Sequence, residues 1–431
     1  LKVAAVLKLT LKQSGNPGGN VTGKGSRSLL ASIHQHPTRW LLLILSTYIS
    51  LAVLVCFLNP LFEPTDEIRH YRFIRILVTE KRLPVQGEEP LRAQSHHPPL
   101  YYTLAALASA WVPTSHTGLF DQPRNPHWGI RNWEVGVDNK LQYWHAAAEV
   151  FNLENLAVYV PRLLNIYLGA LTISLTYIIS VRLWAEHPEL ALLPAAIVAF
   201  NPQYIYLSAA INNDILAGLS GTAVLYACLV ILLDGVKTRS SWVLGLLLGI
   251  AVLSKIHLAV LAPVVVLTII LSLLSQSDRP GRTRLRTGIR MLVILFLVTG
   301  LVTGWWFARN VYLYGDLTGM NRLNELWGGR PVQGGWWALQ QGLPYLWSSL
   351  WGRFGYGQIP LPSPYTAFLA AACCIGLLGL LVKAHLRLPS QVLLVFISAV
   401  VLFLCVVSYY IIIQPAGAMG RFVFPVFPVF A

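Results

Sequence analysis

Two adjacent carboxylates, Asp66 and Glu67, stand a few residues past the first long apolar run, in the stretch Glu63-Pro-Thr-Asp-Glu-Ile-Arg-His70. Of the 18 Asp and Glu residues, 11 lie between Glu63 and Glu154, outside the apolar runs, where water and a polar ligand can reach them. A carboxylate within hydrogen-bond reach of a hydroxyl can take its proton, which is what a group transfer at a membrane surface needs. The plainer reading is a solvated pair that caps a helix starting near Ile68, with Thr65 or Asp66 as the N-cap. Spacing alone leaves both readings open. Arg69, His70, Arg72 and Arg75 follow at helical spacing. Their cationic face suits a phosphate or a bed of anionic headgroups.

Four further constellations carry polar chemistry at the edges of apolar runs. In His96-His-Pro-Pro-Leu-Tyr-Tyr102 the prolines allow a reversal and then a helix start. His96 and His97 have no clear metal-ligand spacing around them. Asn201-Pro-Gln-Tyr-Ile-Tyr is followed by Asn212-Asn-Asp214, which places Asp214 in a tight turn between two apolar runs. An acid so close to a span is a functional candidate, with helix capping as its plain alternative. Lys255 lies in a turn with no acidic neighbour in sequence, a setting that suits a phosphate anion. Arg309 closes an apolar run and Arg353 sits in a Gly-rich stretch; either could snorkel to headgroups or clamp a phosphate.

The elements that must position these residues are membrane helices. The 431-residue chain is 55% hydrophobic and only 12% charged, well below the charge content of a soluble domain. Apolar runs at about 40–59, 158–182, 190–208, 215–233, 241–254, 257–275, 288–308, 364–382 and 391–413 approach the roughly 20 residues a span needs. Leu100 to Val112 is too short and reads as interfacial. Basic residues in 1–39, at Lys237 and Arg239, in 279–290, and at Lys383 and Arg387 fall on one side of nine such spans. The positive-inside rule makes that side cytoplasmic. Two large loops, 60–157 and 309–363, are then non-cytoplasmic, as are the turns carrying Asp214 and Lys255. Eleven of the 14 tryptophans lie on or next to that face, as an aromatic belt or as stacking surfaces for sugar or prenyl groups.

The net charge of +14 clusters beside spans, which excludes a nucleic-acid footprint. All five cysteines fall in apolar segments, so no disulfide framework is indicated. Residues 1–38 are basic, polar and free of acid, and disorder is expected there. The chain begins at Leu1 and its final apolar run stops short of a span, so the native protein is expected to continue beyond residue 431.

The order of these motifs resembles a family. An acidic pair in the first loop, a Pro-Pro-Leu helix start, Pro161-Arg162, Asn-Pro before an outer Asp, and Leu253-Ser-Lys255 recur in sequence. With Trp306 to Gly315 and Gly420-Arg-Phe-Val-Phe-Pro425, they look like the GT-C superfamily of polyprenyl-phosphate-dependent glycosyltransferases. The likeness lies near the protein mannosyltransferase and aminoarabinose-transferase branches, including bacterial members, and covers roughly residues 40–431. It implies an all-α, polytopic transmembrane bundle over 39–431, with interfacial helices in its large first outer loop. It also implies a multi-pass protein of a bacterial plasma membrane, with a cytoplasmic N-terminus and an active site on the outer face.

The resemblance makes the chain an inverting hexosyl- or pentosyltransferase. Its partners would be a polyprenyl-phosphate sugar, membrane lipid, and a glycan, lipid or protein acceptor. Asp66 matches the family's catalytic acid, with Glu67 beside it, and Asp214 matches a second acid. Glu67 and Asp214 would orient the acceptor or a metal, and Lys255 and Arg309 would bind phosphate. Arg69, His70, His97 and Arg353 complete the expected substrate-binding set. No cofactor is required by this reading; a divalent cation, Mg or Mn, on Asp66 and Asp214 stays open. An extra stretch at about 114–156 departs from the pattern and leaves the acceptor open. Two other classes share some of these features. A flippase or transporter of lipid-linked glycans should show pseudo-repeats and charges inside its spans; no convincing repeat is present, and acids within the spans are absent. A non-catalytic assembly protein would need no converging acids.

Overall fold

The structure, a computed structural model, describes residues 34–88, 93–113, 123–129, 139–145, 153–187, 189–276, 280–328, 334–382, 388–414 and 419–431. It is almost wholly helical. Among the described residues, six segments are long and apolar enough to cross a membrane, against the nine expected. They are α1 (Pro37–Leu58), α4 (Leu156–Leu183), α7 (Asp214–Asp234), the segment Ile256–Leu274 that ends in α9 (Leu261–Leu274), α10 (Gly281–Tyr314) and α14 (Ser390–Ile413). Between them in sequence lie α2 (Glu67–Thr79), α3 (Leu100–Ser109), and the shorter apolar α8 (Thr238–Ser254). Two further helices, α11 (Met320–Trp327) and α12 (Gly335–Trp351), precede a two-stranded hairpin. Its strands β1 (Arg353–Phe354) and β2 (Ile359–Pro360) pair antiparallel, with Arg353 opposite Pro360. Apolar α13 (Ser363–Val382) follows, and the chain ends in α15 (Phe427–Phe430).

The expected span at 190–208 is broken. It forms two short helices, α5 (Leu192–Ala199) and α6 (Pro202–Ser208). Pro202 has no N–H to continue the ladder, and Asn201 restarts it. The Asn201 carboxamide oxygen accepts the Tyr204 N–H at 3.0 Å, and its amide donates to the Leu350 carbonyl at 3.0 Å. Irregular backbone at membrane depth is tolerated only where protein satisfies it. The next turn meets that condition: Asn165 donates to the carbonyls of Ala210 (2.6 Å) and Asn212 (2.9 Å), and Asn213 to that of Ser254 (3.0 Å).

The core centres on α7, which packs on α4, α8 and α9. Small residues set the closest approach, as they do between membrane helices generally. A Cβ on Gly245 or Gly249 of α8 would come within 2.8 Å of Val298 or Val302 of α10. Helix α3 is only ten residues long, in keeping with an interfacial element, and it is two-sided. Tyr101 and Tyr102 are buried against the bundle while Leu104 and Leu107 are exposed.

The two large loops meet at one end of the bundle. Arg309 donates to the Pro84 carbonyl at 2.7 Å, Tyr314 accepts the Gln86 N–H at 3.1 Å, and the Gln86 amide donates to the Gly319 carbonyl at 3.2 Å. Thr65 donates to the Gly355 carbonyl beside the hairpin at 2.5 Å. Buried Glu63 gathers a third strand of chain, accepting the N–H groups of Gln142 and Tyr143 and meeting His145 at 2.7 Å.

Candidate active site

Asp66 and Glu67 are neighbours in sequence with opposite fates in space. Asp66 occupies the N-cap position of α2 in the left-handed region, φ 62°, and its side chain makes no capping bond. Aspartate tolerates that conformation better than most residues, yet it is uncommon outside glycine. The carboxylate is thereby free to face Arg69 (3.3 Å) and Arg421 (3.1 Å), with 18% of its surface open. Thus capping does not explain Asp66, nor is it the freely exposed loop residue that its sequence setting suggests.

Glu67 points the other way and is fully buried. Its oxygens accept from Arg162 at 2.6 and 2.8 Å, from the Ile211 N–H at 2.8 Å and from the Phe62 N–H at 2.9 Å. Arg162, equally buried, also donates to the carbonyls of Cys56, Asn59 and Pro60. The pair ties α1, α2, α4 and the turn before α7 together. All its polar capacity is engaged, so Glu67 presents no face to an acceptor. It fixes the loop from which Asp66 projects.

Arg421 is the hub that brings the expected residues together. Its guanidinium reaches Asp66, and its Nε lies 3.6 Å from Asp214 Oδ2. Asp214 is in turn ion-paired with Lys255, whose ammonium also lies 4.1 Å from the Phe422 ring centroid. The lysine that has no acid near it in sequence therefore has one in space. A close backbone approach places Arg421: the Gly420 N–H donates to Ser349 Oγ at 2.8 Å, and a Cβ there would come within 2.1 Å of the Leu350 nitrogen. Burial pushes the Asp66 carboxyl up, but Arg421 and Arg69 outweigh it, and the net shift is below the usual carboxylate value. Asp66 is therefore ionised at neutral pH.

A histidine layer backs this cluster. His70 is buried, so it leaves the cationic face that Arg69, Arg72 and Arg75 were expected to share with it. Its Nδ1 lies 2.7 Å from the Tyr102 hydroxyl, and its ring stacks 5.8 Å from that of His97. Burial drives His70 down to about 3 and His96 to about 4, and lowers His97 strongly, so all three are neutral. Arg69 is clasped between Asp66 and Trp327, with its guanidinium carbon 4.5 Å from the indole centroid.

The remaining expected residues lie apart from the hub. Besides its bond to Pro84, Arg309 packs 5.2 Å from the Trp306 ring. Arg353 donates to Ser348 Oγ and the Gly357 carbonyl, bracing the hairpin. Neither is in contact with Asp66 or Asp214. Among the described residues no group of three or more His, Cys, Asp or Glu could hold a metal. A cation joining Asp66 and Asp214 would have to displace the guanidinium that now lies between them, so these residues do not fit a metal in this arrangement. Arg421, Arg162 and Tyr102 lie inside motifs whose spacing assigns them no role, and Trp327 carries no signal in its own neighbourhood.

Residues 132–315 match the family of dolichyl-phosphate-mannose-protein mannosyltransferases. The match bears out the resemblance to the GT-C superfamily. It spans Arg162, Asp214 and Lys255, and stops short of Asp66 and Arg421. No curated protein matches. Among solved structures, the S. cerevisiae protein O-mannosyltransferase complex bound to its sugar donor is similar at 17% identity and TM-score 0.44, over 67% of this chain and 36% of that one. The Archaeoglobus fulgidus oligosaccharyltransferase AglB, with an inhibitory peptide and a dolichol-phosphate, is 14% identical at TM-score 0.43, over 80% and 37%. An apo oligosaccharyltransferase of the same organism is 12% identical at TM-score 0.45, over 91% and 49%. The chain thus spans between about a third and a half of these proteins' lengths.

Proposed function

We propose that the chain is a membrane glycosyltransferase that takes a sugar from a polyprenyl-phosphate donor and transfers it with inversion to an acceptor hydroxyl or amine. The site is the end of the bundle where the two large loops meet, assigned to the non-cytoplasmic face. One observation carries this reading: a partly open, ionised Asp66 stands beside buried cations at the rim of an apolar bundle. The family match over 132–315 supports the same reading.

The chemistry needs a base, positioning and a charge balance for the leaving phosphate. The acceptor's lone pair attacks the anomeric carbon from the side opposite the phosphate. The carbon–oxygen bond to phosphate breaks, and its electron pair leaves on the phosphate oxygen. The acceptor proton passes to Asp66. Arg421 is suited to the departing charge, because its buried Nη1 has no hydrogen-bond partner among the described residues. Lys255, one ion pair away through Asp214, adds to the positive field. A phosphate that draws Arg421 toward itself would relieve Asp66 of its strongest cation and make it a better base as the donor binds.

Asp66→Asn tests the assignment. In proteoliposomes supplied with a panel of polyprenyl-phosphate sugars and acceptors, turnover should fall by roughly 10²–10⁴-fold, with donor binding and thermal stability near wild type. Transfer at the normal rate sinks the proposal. Loss of folded protein without a specific loss of rate makes Asp66 structural.

A further inference from the structure

The opening turns of α10 carry Arg282, Arg286 and Arg290 four residues apart, with Leu285 and Ile289 beside them. Four-residue spacing puts the three guanidinium groups on one stripe about 12 Å long. These five residues form one shallow, open surface of the helix. The stripe faces outward. The opposite side of the helix packs on α9, where Gly288 approaches Leu273 and Arg284 reaches the Leu274 carbonyl. All three stripe arginines are exposed, and among the described residues no carboxylate pairs with them. Leu285 is 65% and Ile289 55% exposed, and the aliphatic row runs on into the span through Val293 at 59%.

We propose that this stripe binds an acidic glycerophospholipid, with the phosphodiester held in the arginine row and an acyl chain laid along Leu285, Ile289 and Val293. Charge complementarity selects the headgroup, and continuity with the lipid-facing surface of α10 selects a lipid over a free anion. A topology signal needs only positive charge near a span. It does not require one face, regular spacing, or arginine at every position. A guanidinium fork matches phosphate oxygens in two-point contact, whereas an ammonium offers a point charge. The site lies outside the cluster around Asp66 and stands independently of the proposed transfer.

The test uses the full chain in nanodiscs of phosphatidylcholine with one-fifth phosphatidylglycerol, followed by mild extraction and native mass spectrometry of retained lipid. Wild type should retain phosphatidylglycerol well above its share of the bilayer. R282K/R286K/R290K keeps the charge, and with it the topology, but should lower that retention about tenfold. R282Q/R286Q/R290Q should remove the preference, while R239Q should leave it unchanged. Equal retention of the two lipids by wild type overturns the proposal. So does a lysine variant that retains as much phosphatidylglycerol as wild type, because charge alone would then suffice.

Discussion

Arg421 donates to Asp66 at 3.1 Å across 355 residues of sequence, joining the last turns of the chain to its first loop. The same guanidinium lies 3.6 Å from Asp214, and Asp214 holds Lys255. Two acids thus stand among three cations, Arg421, Lys255 and Arg69, in a site that is mostly buried. An added phosphate would redistribute those pairings, and Arg421 is the group placed to respond, since of these three cations it alone is in contact with both acids.

Arg421→Gln should therefore do two separable things. Loss of the cation lowers turnover, by about the 1.5–3 kcal/mol of a charged hydrogen bond and so roughly tenfold to a hundredfold. It also removes the largest influence that lowers Asp66, so the Asp66 pKa must rise. The acidic limb of kcat/KM against pH should then move to higher pH. A rate loss with an unshifted limb would mean that Asp66 is not the titrating base.

Glu67→Gln should damage the fold more than the chemistry. It removes one partner of a fully buried ion pair and leaves Arg162 uncompensated, which typically costs about 3–5 kcal/mol. The expected result is a sharply lower thermal midpoint or poor yield, with near-normal turnover per folded molecule. Glu67→Gln with Arg162→Met should recover part of the stability, because the stranded charge is gone. A well-folded but inactive Glu67→Gln would instead place Glu67 in the reaction.

The contrast between these adjacent acids shows how far the sequence is legible. Asp66, Asp214 and Lys255 can be picked out because polar residues at the edges of spans are rare. Helix content and the positions of six of the nine expected spans, among the described residues, follow from apolar run lengths. Which of Asp66 and Glu67 faces the cleft cannot be read from a one-residue difference; it is set by the positive φ at Asp66 and by Arg162, 95 residues away from Glu67. Arg421 carries no signal in its own neighbourhood, because both its acids come from distant parts of the chain. The break at Asn201-Pro202 was written in the sequence, but the apolar run around it outweighs the signal.

The histidine layer predicts an acid-sensitive fold. His70 has its pKa lowered to about 3 by burial, against about 6.5 in an unfolded chain. Below pH 6.5 the unfolded state binds a proton that the folded state refuses, so His70 contributes stability above that pH and loses it progressively as pH falls toward 3. His96, lowered to about 4, acts in the same direction. Thermal midpoints in detergent should fall between pH 6.5 and 4, and His70→Gln should flatten that slope. An unchanged slope would show that His70 titrates normally in the fold.

Trp327 is predicted to serve Asp66 at one remove. Its ring lies 4.5 Å from the Arg69 guanidinium, which lies 3.3 Å from Asp66. A cation–π contact of this kind is worth about 0.5–2 kcal/mol, enough to hold one arginine rotamer over others. Trp327→Ala should release Arg69 and lower kcat about three- to thirtyfold, with a smaller change in donor binding. Trp327→Phe keeps an aromatic face and should restore much of the rate. The deciding measurement is the double variant. If Trp327 acts through Arg69, Trp327→Ala combined with Arg69→Ala should be no slower than Arg69→Ala alone. A full further loss in the Arg69→Ala background would mean that the indole touches substrate itself, as a stacking surface at the loop-covered end of the bundle.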